Sequence, residues 1–158
     1  MIYSKSSQYA IRAVANLAQQ MPGQLCHLEE IAKNEDIPQP YLAKIMQRLA
    51  KKRLVRSLKG KNGGFALLMP AEAITLFAIV DAMDELSLSL GDCILGKGFC
   101  SENHKCPLHD TWKEVKEKQV DFLNRITIAD IVEAMKQANG NGDQLVSSGD
   151  LSFGGPKQ

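Results

Sequence analysis

The sequence predicts a mainly α-helical fold with one small β-hairpin and one long helix in its C-terminal half. Three observations support this prediction. Apolar residues recur at helical spacing in several segments, a glycine-rich turn separates one pair of short apolar runs, and one amphipathic stretch is longer than the others. The 158 residues suffice for one core with an appended interaction element. Hydrophobic residues at 44% and charged residues at 23% are typical of globular proteins, and no apolar run is long enough to span a membrane.

The first three elements are expected to be helices. The first is predicted at residues 6–20 and is capped by Ser6 or Ser7, because a serine side chain can accept a hydrogen bond from a backbone N–H of the first turn. A short helix at residues 28–34 and a longer one at residues 39–52 follow, and a tight turn separates them.

The third helix has an apolar face and a basic, amide-rich face. Two short helices joined by a tight turn, the second with these two faces, have the form of a DNA-reading helix-turn-helix. Amphipathic helices are common in all helical bundles, so this prediction depends on the hairpin that follows. The residues of this helix that we expect to contact DNA are Gln39, Pro40, Tyr41, Lys44, Gln47 and Arg48.

A β-hairpin is predicted from two short apolar runs, residues 54–58 and 65–68, on either side of an Asn-Gly-Gly turn. Asparagine and glycine accept the positive φ that a hairpin turn needs. A hairpin that follows a helix-turn-helix is the wing of a winged-helix domain, which we place at residues 1–84. Lys59 and Lys61 at its tip are expected to lie against the DNA backbone or minor groove.

Basic residues concentrate in the same region. No acidic residue lies between Asp36 and Glu72, where there are eight basic ones, and the rest of the chain has 11 basic residues against 18 acidic ones. Such an imbalance favours the binding of a polyanion over simple solvation of the surface. We therefore expect double-stranded DNA as the partner.

The C-terminal half is predicted to contain an apolar helix at residues 71–83, a cysteine loop at residues 85–106 and a long helix from Pro107 to about Arg125. Six residues of the long helix recur at alternating spacings of four and three, which is typical of a helix that packs along a partner. They are Leu108, Trp112, Val115, Gln119, Phe122 and Ile126. We expect a dimerisation helix, with packing inside the same chain as the alternative.

A capping-box variant at Thr127 and Asp130 predicts a short terminal helix that ends near Gln137. The long helix and this short helix together form the predicted dimerisation segment, residues 107–138. Residues 139–158 are polar and rich in glycine, and they predict a flexible tail.

The cysteine loop carries the chemistry. Cys93, Cys100 and Cys106 are separated by six and five residues, gaps that fit a small zinc knuckle poorly and suit a larger iron–sulfur core. His109 lies one helical turn after Cys106 and is the candidate fourth ligand. One non-thiolate ligand would make the cluster labile, as a sensor requires. Cys26 is assigned a structural role.

The N-terminus contains no apolar secretion segment, so a reducing cytoplasm is the expected location. Clustered cysteines in that compartment bind metal or sense redox state more often than they form structural disulfides. No membrane partner is expected. No hydrolytic constellation, phosphate-binding loop or dinucleotide motif is present in the sequence, so we do not expect an enzyme.

Four ordered motifs carry a family resemblance. They are Tyr9-Ala-Ile-Arg-Ala, Tyr41-Leu42, Leu54-Val55 leading into the turn from Lys59 to Phe65, and the three-cysteine loop. With these motifs, residues 1–137 resemble the Rrf-two family of winged-helix regulators, the group of IscR, NsrR and RirA.

The resemblance implies a homodimer on a near-palindromic operator, with the long helices crossing at the dimer interface. IscR-like members have a histidine at the position of His109 and a 2Fe-2S cluster. NsrR-like members use an acidic residue where this chain has Gln8. The first cysteine gap differs from the gap usual in both groups, so a 4Fe-4S cluster stays open. Ala43 and Lys59 stand where IscR-like proteins often have Glu and Arg, so no operator preference is carried over.

The sequence thus predicts a DNA-binding transcriptional regulator, acting as a repressor, whose iron–sulfur cluster senses redox state, iron or nitric oxide. Two alternatives stay open at this stage. One is a small electron-transfer or cluster-delivery protein. The other is a DNA-binding regulator whose cysteines sense oxidants directly or hold zinc.

Overall fold

The computed structural model describes residues 3–60, 62–96, 98–103 and 105–140. The elements in this part of the chain are helices α1 (Lys5–Ala18), α2 (Leu28–Asn34) and α3 (Gln39–Lys51), strands β1 (Val55–Leu58) and β2 (Gly64–Leu67), a short 3-10 helix (Ala71–Ala73), and helices α4 (Leu76–Asp84), α5 (Leu86–Ser89), α6 (His109–Arg125) and α7 (Ile128–Gly140). The predicted fold class, mainly helical with one β-hairpin, is confirmed. None of the helices in these ranges has both the length and the apolar character needed to cross a membrane.

Helix α1 begins one residue earlier than predicted and is capped from outside the predicted range. The side chain of Ser4 accepts a hydrogen bond from the backbone N–H of Ser7, so the assignment of the cap to Ser6 or Ser7 is wrong. Asp84 holds Ser4 in the capping position, because its carboxylate accepts hydrogen bonds from the backbone N–H and from the hydroxyl of Ser4. The cap therefore depends on a contact between distant parts of the chain.

Helices α1, α2 and α3 pack around one apolar core, and α1 also fixes the turn between α2 and α3. The guanidinium of Arg12 pairs with the carboxylate of Glu35 at 3.2 Å and also donates to the Glu35 carbonyl oxygen. Asn16, which is buried, donates its Nδ2 to Glu35 at 2.9 Å. Glu35 is the C-cap residue of α2, so these contacts hold α1 against the helix-turn-helix.

The predicted hairpin is present, and its strands are antiparallel with Val55 opposite Leu67. Gly63 is required by space, because a Cβ there would stand 2.1 Å from the carbonyl oxygen of Leu58. Cys26 joins the hairpin through two backbone hydrogen bonds with Phe65, both of 2.9 Å. This pairing ties β2, near the turn of the hairpin, to the segment between α1 and α2.

The continuous helix predicted at residues 71–83 is interrupted. A 3-10 turn at Ala71–Ala73 is followed by Ile74 in extended conformation, and α4 begins only after Thr75, which caps it. The break arises because Thr75 forms a β-bridge with Thr127, and the backbone of Ile128 donates to the carbonyl of Ile74. The start of α7 thus imposes the extended conformation.

The C-terminal half also differs in detail from the prediction. The cysteine segment contains the one-turn helix α5, and α6 begins at His109, two residues after Pro107. The predicted capping box is confirmed, since Asp130 accepts from the backbone N–H of Thr127 at 2.8 Å while the Thr127 hydroxyl accepts from Asp130. Helix α7 extends to Gly140, so it includes the first residues of the predicted tail. Residues 141–158 lie outside the described residues.

Candidate functional site

The outer face of α3 is the candidate nucleic-acid interface. Its apolar face is buried against the core through Leu42, Ile45, Met46 and Leu49. The opposite face is exposed, and it carries all the residues of this helix that the sequence predicted for DNA contact. They are Gln39, Pro40, Tyr41, Lys44, Gln47 and Arg48.

Tyr41 differs from the other residues of this face because it also packs on α1. Its hydroxyl lies 2.6 Å from the Ser6 hydroxyl, and its ring meets the ring of Tyr9 edge-on at 5.7 Å. Tyr41 is still 39% exposed. The side chain therefore orients α3 on α1 and leaves one edge at the surface.

Helix α1 adds cations beside this face that the sequence analysis did not assign to DNA binding. Lys5 and Arg12 lie 5.5 and 5.8 Å from the ring centre of Tyr9. The motif around Tyr9 was visible in the sequence, but periodicity alone does not place α1 next to the reading helix. Lys51, the last residue of α3, is also exposed, but it is not among the residues predicted to contact DNA.

The basic segment does not point entirely toward solvent. Lys52 pairs with Asp81 of α4 at 3.5 Å, and Arg56 donates to the carbonyl of Gly23 at 2.7 Å. Lys59 is exposed at the wing, next to Gly60, whose φ of +107° needs glycine. Lys61, the other predicted wing residue, lies outside the described residues.

The four predicted cluster ligands line one cavity of about 560 Å³, which we call the cysteine cavity. It lies between the cysteine loop and the beginning of α6. Its lining consists of Cys93, Leu95, Phe99, Cys100, Ser101, Lys105, Cys106, Pro107 and His109.

Backbone hydrogen bonds within the loop hold the cysteines around this cavity. The backbone N–H of Cys93 donates to Gly98 at 2.8 Å, and that of Cys100 donates to Gly91 at 2.7 Å. The backbone N–H of His109 donates to the carbonyl of Cys106 at 3.0 Å. The three thiols are half-buried, and the imidazole of His109 is buried.

The cavity brings the four side chains together without closing them into a coordination sphere. Among the described residues, no three His, Cys, Asp or Glu side chains come close enough to hold a metal ion, and none of the four cysteines forms a disulfide. Thiols, in some centres together with imidazoles, are the protein donors that iron–sulfur centres take. The donor chemistry and the shared cavity of about 560 Å³ fit such a group.

Glu102 stands beside the histidine of the cavity. Its carboxylate contacts His109 Nε2 at 3.4 Å, Lys105 Nζ at 2.8 Å and Lys113 Nζ at 3.2 Å. Hydrogen bonds from Lys105, Lys113 and His109 lower the pKa of Glu102 to about 2. The cavity is therefore flanked by a carboxylate that stays ionised at neutral pH.

Cys26 is remote from this chemistry. It is 2% exposed in the core, and burial, together with the nearby Glu30, raises the pKa of its thiol. A buried thiol with a raised pKa is a poor nucleophile and metal ligand. The structural role predicted for Cys26 agrees with this environment.

Two carboxylates of α4 connect the cysteine loop to helices α1 and α3. Asp81 accepts from the backbone N–H of Ser87 in α5 at 2.7 Å and pairs with Lys52 at the end of α3. Asp84 accepts hydrogen bonds from Ser4 and from Ser7 of α1. Helix α4 thus contacts the beginning of the cysteine loop, the beginning of α1 and the end of α3.

Part of the predicted partner-facing stripe of α6 is exposed, whereas its last residue, Ile126, is half-buried and packs against the chain's own core. Leu108, Val115 and Phe122 are each between 45% and 47% exposed. Val115 and Phe122, with Tyr3 and Trp112, line an open groove of about 530 Å³. Helix α6 packs against α4 and α5 through Leu123, which is fully buried and does not belong to the predicted stripe.

Comparison with known proteins agrees with the fold and the motifs. A model of the Rrf2 family, described as an iron-dependent transcriptional regulator, matches residues 3–134. The IscR transcriptional regulator of Erwinia tasmaniensis is 33% identical over 132 residues, which cover 84% of this chain and 79% of that protein.

Solved structures show the same architecture. That of T. potens IscR superposes with a TM-score of 0.69 at 22% identity and covers 95% of both chains, a likeness that concerns the fold alone. The oxidized form of Staphylococcus aureus CymR superposes with a TM-score of 0.66 at 25% identity and covers 84% of this chain and 97% of that chain.

Proposed function

Because the chain belongs to the Rrf2 family of transcriptional regulators, which are not enzymes, we propose that it represses transcription through an iron–sulfur cluster whose presence or redox state changes its affinity for DNA. The observation that carries this proposal is the cysteine cavity. Cys93, Cys100, Cys106 and His109 line it together, although they are up to 16 positions apart in sequence.

The four cavity residues are the proposed ligands. Three thiolates and one imidazole complete the four protein ligands that a 2Fe-2S cluster needs, and a 4Fe-4S cluster is the alternative. A bound cluster would supply a redox-active and chemically labile centre that responds to oxidant, iron or nitric oxide. The glycines of the loop support this role, because Gly96 and Gly98 have φ of +69° and +87° and let the backbone fold around a large group.

The DNA interface is proposed at α3 and the wing. Gln39 and Gln47 are suited to base edges, and each well-placed bidentate contact discriminates against a wrong base by about 1 to 3 kcal/mol. The cationic residues are suited to phosphates, which supply affinity and register rather than sequence preference. They are Lys44, Arg48, Lys59 and Lys61. Pro40 and Tyr41 complete the contacting end of α3.

We propose a homodimer that joins two such reading heads through α6. A near-palindromic operator then presents two half-sites about 34 to 36 Å apart along the duplex, so small changes in the spacing of the two α3 helices alter affinity. Helix α4 provides a route for such changes. A change in the cysteine loop on cluster binding or loss would act on α5, and Asp81 connects α5 to Lys52 at the end of α3.

A second candidate is a regulator in which the thiols themselves are oxidised. It is favoured by the three half-buried thiols that line one cavity and by the likeness to the oxidized form of CymR. A role in electron transfer or cluster delivery does not fit the family, which consists of transcriptional regulators.

Anaerobic purification followed by visible absorption spectroscopy and by iron and sulfide analysis tests the proposal. We expect charge-transfer absorption, with iron and sulfide in equal amounts, and the loss of both when Cys93, Cys100 and Cys106 are replaced by serine. Replacement of Cys26 by serine is the matched control and should leave the cluster in place.

Binding of the holo and apo proteins to the same operator at one salt concentration then tests the coupling. Equal affinities would exclude cluster-dependent control. A colourless protein that stays free of iron after reconstitution, and whose DNA binding changes on treatment with peroxide, would establish thiol sensing instead. A protein that retains zinc would establish a zinc site.

A further inference from the structure

The carboxylate of Glu102 lies between the histidine of the cysteine cavity and two lysines. Its Oε1 is 3.4 Å from His109 Nε2 and 3.2 Å from Lys113 Nζ, and its Oε2 is 2.8 Å from Lys105 Nζ. From these contacts we propose that Glu102 is a positioning residue that accepts the Nε2 proton of His109 and thereby makes Nδ1 the nitrogen that binds the cluster. The inference rests on the proposed function, since it concerns a ligand of the same cavity.

The chemistry of the two groups dictates this assignment. A neutral imidazole has one N–H and one lone pair, and only the unprotonated nitrogen can bind metal. An ionised carboxylate accepts hydrogen bonds and has none to donate, so the ring nitrogen that faces Glu102 must carry the proton. Histidine ligands in metalloproteins usually have such an outer partner, which fixes the ring orientation and raises the basicity of the ligating nitrogen.

The surroundings hold Glu102 in this position from two sides. Lys113 follows His109 by one helical turn on α6, so the two side chains lie on the same face and Glu102 contacts both. Lys105 precedes Cys106 and anchors the other carboxylate oxygen. His109 is only 5% exposed, so its ring has little freedom to turn away.

The same contacts contribute little to folding. The side chain of Glu102 is 61% exposed, and the two lysines are about as exposed. Exposed ion pairs of this kind contribute little to stability because water and salt screen them. Removal of the carboxylate should therefore leave the fold intact and act on the ring of His109.

The rate at which reconstituted protein loses its cluster to an iron chelator tests the inference. We expect Glu102→Gln to release the cluster about 10- to 100-fold faster than the unmodified protein, the usual effect of losing an outer partner of a metal ligand. Glu114→Gln is the matched control, because it also removes an exposed carboxylate that pairs with a lysine, Lys118 at 2.6 Å. Its release rate should be unchanged.

A protein that already carries a substitution of His109 shows whether Glu102 acts through His109 or only by stabilising the loop. In protein that carries His109→Ala, the further change Glu102→Gln should have no additional effect on release. An equal acceleration in both backgrounds would overturn the inference. So would identical release rates for Glu102→Gln and the unmodified protein.

Magnetic resonance of isotopically labelled histidine rings in the cluster-free protein provides an independent measurement. At alkaline pH, where imidazole is neutral, His109 should carry its proton on Nε2, and Glu102→Gln should give a mixture of both tautomers. A proton on Nδ1 in the unmodified protein would overturn the assignment. If the unmodified protein binds no cluster, the proposed function fails and the inference with it, whereas a bound cluster with unaltered lability in Glu102→Gln refutes the inference alone.

Discussion

Asp84 is the residue that connects the end of α4 to the beginning of α1. Its carboxylate accepts from the backbone N–H of Ser4 at 2.8 Å and from the hydroxyl of Ser7 at 2.9 Å. Burial disfavours ionisation of Asp84, but hydrogen bonds from Ser4 and Ser7 and the charge of Arg48 outweigh that effect and lower the pKa of the carboxyl. Because Ser4 caps α1, the ionised carboxylate also keeps the cap in place.

The lowered pKa predicts how stability depends on pH. An aspartate whose pKa is lower in the folded protein than in the unfolded chain stabilises the fold above its unfolded value of about 3.9, and this contribution is lost as pH falls through the folded pKa. We expect Asp84→Asn to reduce the free energy of unfolding at pH 7 by on the order of 1 kcal/mol, the usual value for such hydrogen bonds.

Urea denaturation of both proteins from neutral to acidic pH measures this effect. The two free energies of unfolding should converge below the folded pKa, because the wild-type carboxylate is then protonated as well. A difference that stays constant over the whole pH range would show that charge on Asp84 is not involved.

At the scale of elements, the proposed DNA-contact surface consists of the exposed face of α3 and the neighbouring wing. The apolar side of α3 packs against the core, so the cations on the opposite, exposed side of this helix are held in fixed positions. Lys44 is exposed near the middle of this face, and no acidic residue follows until Glu72. A cation in this position is suited to neutralise one phosphate.

Salt dependence of DNA binding tests the assignment of Lys44. Each neutralised phosphate contributes about −0.9 to the slope of log affinity against log salt, so Lys44→Ala should reduce the magnitude of that slope by about 1. Lys136→Ala, which removes an exposed lysine from α7, is the matched control and should leave the slope unchanged. Equal slopes for the two variants would remove Lys44 from the interface.

Sequence patterns correctly predicted the elements whose ends are determined by neighbouring residues in the chain. Helix α2 matches its predicted limits, and the hairpin follows from its Asn-Gly-Gly turn. The errors occur where distant residues decide the structure. Asp84, 80 positions away, supports the cap at Ser4, and Thr127 imposes the break before α4. Neither contact leaves a periodic pattern in the sequence.

In the candidate site, too, sequence patterns identified some residues, and others became evident only from the packing of distant segments. Residue type and spacing were enough to single out the three cysteines and His109, which line one cavity. Spacing could not identify Glu102, because its approach to Lys113 depends on how the loop folds back on α6. It also could not identify Lys5, because only the packing of Tyr9 against Tyr41 brings α1 to the edge of the reading face.

At the scale of the whole molecule, one part of the apolar surface of α6 is buried within the chain and another part is exposed. Leu123 is fully buried against α4 and α5 and holds α6 to its own chain. Val115, at 47% exposed, lies in the groove that Trp112 and Phe122 also line. An uncovered apolar stripe with heptad spacing is what a helix needs to pack along a second copy.

We expect Val115→Glu to dissociate the dimer and to weaken operator binding strongly, because a monomer can occupy only one half-site. The fold should be retained, since residue 115 is already exposed in the single chain. Asn124→Glu is the matched control. It adds the same charge to an exposed position on the opposite side of α6 and should leave the dimer intact. Sedimentation equilibrium at equal protein concentrations, with circular dichroism to verify folding, measures both. A dimeric Val115→Glu protein would mean that the two chains meet elsewhere.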